Sequence, residues 1–254
     1  MPQHHRPAHY NRLLATLPAD ELAVVTPELH FGHWKLNETI YDANGRLRDV
    51  YFPLTAVASN IVLMENGSAV EASTVGREGM VGAPAALGTD RTATKVICQV
   101  PGEVARMRVD DFRRCLRMLP RFCDAATRFN VFLLNVSAQS AACNRLHNVE
   151  KRLARWLLMT HDRILGDDLP LTHELLSIML GVNRPAVTLA IRTLREAGLI
   201  TRRRGMISIE NRPLLEKASC ECYDVVAAEL DEALPQHASW AMLVDAKERA
   251  PASA

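Results

Sequence analysis

No stretch of the chain approaches the roughly 18 consecutive apolar residues that a bilayer crossing requires, so no transmembrane helix is expected. The first residues, Met1-Pro2-Gln3-His4-His5-Arg6, lack the apolar centre of a secretory signal, and with His9 they read as a solvated tail. No C-x-x-C pair occurs. The six cysteines stand at 98, 115, 123, 143, 220 and 222, and a chain of 254 residues can bury a core without disulfide staples. Cys220 and Cys222 supply two ligands, too few for a zinc site, so no metal site is expected. Charge of one sign is missing as well: 30 Lys+Arg against 29 Asp+Glu leave a net charge of +1. The chain is no polycation, and any binding of nucleic acid must rest on local charge. G-x-x-x-x-G-K-[ST], H-E-x-x-H, G-x-S-x-G and EF-hand loops are absent, which removes the common signatures of enzyme chemistry. The expectation that remains is a cytoplasmic protein with reduced thiols that is not an enzyme and meets no membrane.

Local charge is uneven. Between Arg184 and Arg212 stand seven arginines and two acids, a net of +5, whereas from Pro213 onward eight acids face three bases, a net of −5. A basic module is followed by an acidic tail. The length suits two modest domains or one large one. Upstream, Glu65-Asn66-Gly67 between alternating runs predicts a hairpin, and Val96, Cys98 and Val100 alternate up to a Pro101-Gly102 turn. Short strands with Gly and Pro turns predict a β sandwich or barrel between about residues 30 and 110.

The period then changes. Leu119, Phe122, Ala126, Phe129, Leu133, Val136, Ser140 and Cys143 fall at gaps of 3, 4, 3, 4, 3, 4, 3. One reading is an amphipathic helix lying on its own β domain. The other is a dimer seam, and it is favoured because about 27 helical residues run ~40 Å, longer than the face of a small β domain. In that seam Cys143 would face its twin. A second helix follows from Val149 to about Ile164, with Leu153, Trp156, Leu157 and His161 on one face.

Residues 171–209 are the most informative. Thr172 can cap a helix carrying Leu175, Leu176 and Met179, and Gly181 stops it. Asn183 can cap the next helix, with Pro185 in its first turn and Val187, Ala190, Ile191 and Leu194 on its apolar face. Gly198 closes it. Two short helices joined by a Gly-containing turn form a helix-turn-helix pattern. Beyond it, residues 199–209 read as a two-stranded wing whose tip is Arg202-Arg203-Arg204-Gly205. An arginine opening the second helix can make bidentate bonds to guanine, and wing arginines suit phosphates.

The segments Gly181-Val182-Asn183-Arg184-Pro185-Ala186-Val187 and Leu194-Arg195-Glu196-Ala197-Gly198-Leu199-Ile200 resemble the winged helix-turn-helix of the Crp/Fnr family of bacterial transcription regulators. Gly79-Met80-Val81-Gly82 with Arg91-Thr92-Ala93 resembles that family's phosphate cassette, and Val149-Glu150-Lys151-Arg152-Leu153-Ala154 its hinge-proximal helix. The resemblance spans about residues 12–215. It implies an α+β fold with an N-terminal double-stranded β-helix (jelly-roll) sensor domain over 1–118. A dimerisation helix over 119–147, a winged helix-turn-helix over 148–230 and a tail over 231–254 would follow. DNA contacts are expected from Thr172, His173, Asn183, Arg184, Pro185, Thr188, Leu189, Arg192, Arg202, Arg203 and Arg204. The seam would comprise Phe122, Ala126, Phe129, Leu133, Val136, Ser140 and Cys143. The expected partners are a palindromic double-stranded DNA operator, a second copy of the chain and, for an activator, RNA polymerase.

An effector pocket would involve Gly82, Ala83, Arg91, Thr92 and Ser137. Cyclic-AMP readers of this family carry Gly-Glu where this chain has Gly82-Ala83, and alanine offers no acceptor for a ribose hydroxyl, so cyclic AMP is disfavoured. Arg91 and Thr92 remain available to a small anion. No cysteine precedes Cys98, which excludes the N-terminal iron–sulfur cluster of other members, and Val81-Gly82-Ala83-Pro84 offers no haem ligand. Pro185 stands where the best-known members have a cytosine-reading Glu, and Leu189 replaces a polar reader, so the operator should differ from theirs. The alternative function is a cyclic-nucleotide-type regulatory module that acts through protein partners, against which the arginine-rich wing argues.

Overall fold

The computed structural model describes residues 10–203 and 205–235. The N-terminal histidines at 4, 5 and 9, the wing residue Arg204 and the tail beyond 235 lie outside the described residues. The chain opens with α1 (Arg12–Ala15) and α2 (Ala19–Val25), followed by β1 (His30–Trp34), β2 (Thr39–Tyr41), β3 (Asp49–Pro53), β4 (Val57–Leu63), β5 (Ala69–Val75), β6 (Lys95–Val100) and β7 (Gly102–Arg108). Next come α3 (Val109–Met118), α4 (Pro120–Leu146), α5 (Val149–His161), β8 (Asp168–Pro170), α6 (His173–Leu180) and α7 (Arg184–Glu196). The chain continues through β9 (Ile200–Arg203), β10 (Met206–Ile209), α8 (Arg212–Ala218) and α9 (Cys222–Ala233).

The first seven strands form two antiparallel sheets, ordered β1-β7-β3 and β2-β6-β4-β5, with Val50, Phe52, Cys98, Ala105 and Met107 among the buried residues of their shared core. Asn66-Gly67 makes the expected turn between β4 and β5, with Gly67 at φ 82°, a conformation that suits glycine. This sheet pair is the N-terminal β roll that the resemblance implies.

The long helix α4 has 27 residues, and its N-terminus is capped by Glu21, whose carboxylate accepts from the backbone N–H groups of Arg121 and Phe122 at 3.1 and 2.8 Å. Its apolar stripe does not form a seam. Phe122, Ala126, Phe129, Val136, Ser140 and Cys143 are buried within the chain, and Leu133 is half-buried against the same core. Phe122 packs on Phe112 and Phe52, with ring centroids 5.5 and 6.2 Å away. Phe129 lies so tightly on the Gly79 backbone that a Cβ there would stand 1.9 Å from its ring. The second half of the stripe is covered by α9. The expected division at 230/231 falls inside α9, which the buried Arg12 holds from below by bonding the Leu234 carbonyl and pairing with Asp231. The seam expectation fails for a physical reason: the roll and α9 together present an apolar surface long enough to cover the whole stripe. What α4 leaves in solvent is a second stripe, Val131, Leu134, Ala138 and Ala141, at gaps of 3, 4 and 3.

Helix α5 is buried on all sides from Arg152 to His161, because it runs between the roll and the last third of the chain. Trp156 Nε1 donates to Glu71 Oε1 at 2.8 Å, and Arg163 Nε donates to Glu78 Oε1 at 2.7 Å. Val57, Ile61 and Val100 of the roll share one core with Leu153, Leu157, Leu176, Met179 and Val187. Among the described residues no single helix is long and apolar enough to cross a membrane.

Candidate nucleic-acid interface

Helices α6 and α7 form as their caps dictate. Thr172 Oγ1 accepts from the Leu175 N–H at 3.1 Å, and Asn183 Oδ1 accepts from the Ala186 N–H at 3.0 Å. Between them Gly181 takes the left-handed conformation, φ 59°, and the two helices bend by 101°. This lies within the range of helix-turn-helix pairs. Val187, Ala190, Ile191 and Leu194 anchor α7 to the core. Its opposite face carries Arg184, Pro185, Thr188, Leu189 and Arg192 into solvent. Strands β8, β10 and β9 form the wing sheet, in which Arg202 pairs with Ile207 and Arg203 with Met206, both arginines exposed.

Two arginines on this face pair with exposed acids. Arg184 pairs with Glu174 at 3.0 Å and Arg192 with Glu196 at 2.7 Å, contacts that water screens and that phosphate can replace. His173 Nδ1 lies 3.1 Å from Thr188 Oγ1. Burial, then the charges of Arg202 and Arg184, push the His173 imidazole below its usual range. Arg184, Pro185, Thr188, Leu189 and Arg192 thus stand on α7 and Arg202 and Arg203 on the wing, while Thr172 caps α6 and His173 opens it beside Thr188. Asn183 is the α7 cap, so its side-chain oxygen already serves the backbone.

The expected effector residues are arranged differently. Gly82, at φ 90°, leads into a 3-10 turn over Ala83–Leu87, and Ala83 is buried. A Cβ on Gly82 would meet the Asp49 carbonyl at 3.2 Å and the Tyr41 hydroxyl at 3.5 Å, so the chain's own tyrosine packs beside this turn. Asn130 Nδ2 donates to the Ala83 carbonyl at 3.1 Å and ties the turn to α4. Arg91 is exposed and donates to the Asn44 carbonyl at 2.8 Å, while Thr92 Oγ1 is bonded to Thr94. Ser137 donates to Leu133 of its own helix, two turns beyond Asn130.

A further group escaped the sequence reading. Cys143 and His147, one helical turn apart at the end of α4, meet Cys220 from the α8–α9 connection and Cys222, the first residue of α9, with one ligand-type atom of each within 4.8 Å of the others. The expectation of no metal counted only Cys220 and Cys222 and placed Cys143 in a seam. The structure brings Cys143 and His147 to the same point, so four side chains of ligand type converge where the sequence reading counted two. The combination Cys-x-x-x-His with Cys-x-Cys was the available signal. Cys143 Sγ and Cys220 Sγ are 3.6 Å apart. The hydrogen bond to Cys220 and burial push the Cys143 thiol up, against the pull of Arg155, whereas the same bond draws Cys220 down to about 5.

A β roll, a long helix and a winged helix-turn-helix in that order define the architecture of Crp/Fnr-type transcription regulators. Residues 151–218 match the family model described as the Crp-like helix-turn-helix domain. FixK2 from Bradyrhizobium japonicum is similar over 76% of this chain and 98% of its own, with TM-score 0.65 and 14% identity. A putative Crp/Fnr-family transcriptional regulator from Eubacterium rectale covers 83% of this chain and 98% of its own, with TM-score 0.63 and 16% identity. TTHB099, a CRP-family regulator from Thermus thermophilus, covers 74% and 96%, with TM-score 0.62 and 18% identity. At these identities the likeness is one of fold. None of the curated proteins matches the chain by sequence.

Proposed function

We propose that the chain is a transcriptional regulator rather than an enzyme, and that it binds an inverted-repeat operator in double-stranded DNA as a homodimer. The observation that carries this reading is the solvent face of α7, where Arg184, Thr188, Leu189 and Arg192 stand beside the wing arginines Arg202 and Arg203. Arg184 at the start of α7 suits a guanine edge, Leu189 a thymine methyl, and the wing arginines phosphates. In this division residues 1–118 serve as the sensor, 119–147 as the dimer helix and 148–230 as the DNA reader. The second copy packs on the exposed stripe of Val131, Leu134, Ala138 and Ala141, and small residues at its C-terminal half let two helices approach closely. Any contact with RNA polymerase belongs to the case of an activator.

Genomic footprinting with motif discovery in the bound fragments tests the proposal. The expected motif is an inverted repeat whose half-sites lie about one helical turn, ~34 Å, apart. Enrichment without any two-fold motif would contradict it.

A further inference from the structure

The cluster at the α4–α5 junction has the form of a metal site. We propose that Cys143, His147, Cys220 and Cys222 bind one zinc ion in a tetrahedral Cys3His site that clamps the α8–α9 connection to the end of the long helix. Zinc holds thiolates at about 2.3 Å and imidazole nitrogen at about 2.0 Å, which places tetrahedral ligand atoms roughly 3.5–3.8 Å apart. Cys143 Sγ and Cys220 Sγ are 3.6 Å apart, and so are Cys222 Sγ and His147 Nδ1. A cluster of several irons would hold its ligands farther apart than this.

Three surrounding features fit a metal. His147 turns Nδ1 toward Cys222 while its Nε2 lies 3.2 Å from Glu221 Oε1, the carboxylate–histidine arrangement that fixes the tautomer of a ligating imidazole. Gln139 Nε2 donates to Cys222 Sγ at 3.0 Å, as an outer partner of a thiolate does. Arg155 is buried, its Nε and Nη1 have no hydrogen-bond partner among the described residues, and its charge acts on Cys143. Three thiolates, one neutral imidazole and Zn2+ sum to one negative charge, and two buried guanidiniums, Arg155 and Arg152, lie close enough to act on the cluster's thiols. The three cysteines form a small buried cluster of their own, separate from the two main cores. His147 ends α4 and Asn148 caps α5, so the ion would sit at the hinge that sets the helix-turn-helix relative to the long helix.

The test uses the full chain purified under reducing conditions. Elemental analysis is expected to find about one zinc per chain. After removal of zinc by chelation, titration with cobalt(II) should produce intense thiolate-to-cobalt absorption and the visible bands of tetrahedral cobalt, saturating at about one ion per chain and reversed by added zinc. Cys220→Ser and Cys222→Ser should weaken the thiolate band, while Cys123→Ser, an exposed cysteine outside the cluster, should leave it unchanged. The reduced wild-type chain is measured alongside, so a variant that fails to fold does not decide the outcome. No stoichiometric zinc together with no cobalt–thiolate band would overturn the proposal. So would iron with inorganic sulfide in anaerobically purified protein, or full binding retained in both cysteine variants.

Discussion

Glu71 is a buried carboxylate at the joint between the roll and α5, where it accepts from Trp156. Burial pushes its pKa above the usual range, by more than the hydrogen bond from Trp156 and the other polar neighbours pull it down. A carboxyl whose folded pKa is raised contributes fully below its unfolded value, roughly pH 4, and stability falls as pH rises through the folded value. Glu71→Gln keeps an acceptor for Trp156 without the charge. It should raise the melting temperature at pH 8 by about 2–4 °C, the shift that ~1 kcal/mol gives in a chain of this size, with no gain below about pH 4. Thermal melts across that range check this. At this scale the sequence was readable where the partner is near in the chain. Thr172 and Asn183 cap helices three residues away, so their roles follow from local chemistry. Glu71 and Trp156 are 85 positions apart, and Cys143 meets Cys220 across 77, so only the folded chain brings these groups together.

Among the elements, α4 shows what periodicity can and cannot decide. Two stripes of the same 3,4 spacing run along it. Phe122, Ala126, Phe129, Leu133 and Val136 form the more apolar one, and hydrophobic burial assigned it to the chain's own roll, leaving Val131, Leu134, Ala138 and Ala141 outside. The two should respond differently to an inserted charge. Leu134→Asp should leave the melting temperature nearly unchanged and convert the dimer to a monomer in light scattering. Phe129→Asp should destabilise the fold itself, since it buries an unpaired carboxylate against Gly79. A dimer that survives Leu134→Asp would remove the proposed contact. Helix α5 was readable in existence but not in burial. Its polar Arg152, Arg155 and Thr160 are buried, because the roll covers one side and α7 and α8 the other.

At the scale of the molecule, the roll, α4 and the helix-turn-helix are in continuous contact. The turn after Gly82 is bonded to Asn130 of α4, α4 leads through His147 into α5, and α5 packs on α7 and α8. This order of domains was legible because the Gly-terminated helix pair, the basic wing and the change of period are all local patterns. The packing of α9 on α4 was not, since the acidic composition of that segment says nothing of its apolar face. Ala83 is buried beside Gly82 and offers no acceptor to a ribose hydroxyl. Calorimetry should therefore find cyclic AMP binding weaker by about tenfold to a hundredfold than a site with that hydrogen bond, the equivalent of ~1–3 kcal/mol, and micromolar or tighter binding would contradict this. In the proposed complex α7 reads bases while the wing holds phosphates. The most direct test of this division is binding titrated against salt, on the operator found by footprinting and on scrambled DNA, for the wild type, Arg184→Ala, Arg202→Ala and Arg203→Ala. Arg184→Ala should cost ~1–3 kcal/mol per half-site on the operator, and little on scrambled DNA. The wing variants should weaken both DNAs alike and make the salt slope shallower by about one unit per lost contact. Equal weakening of both DNAs by Arg184→Ala, or wing variants that alter sequence preference alone, would contradict the account.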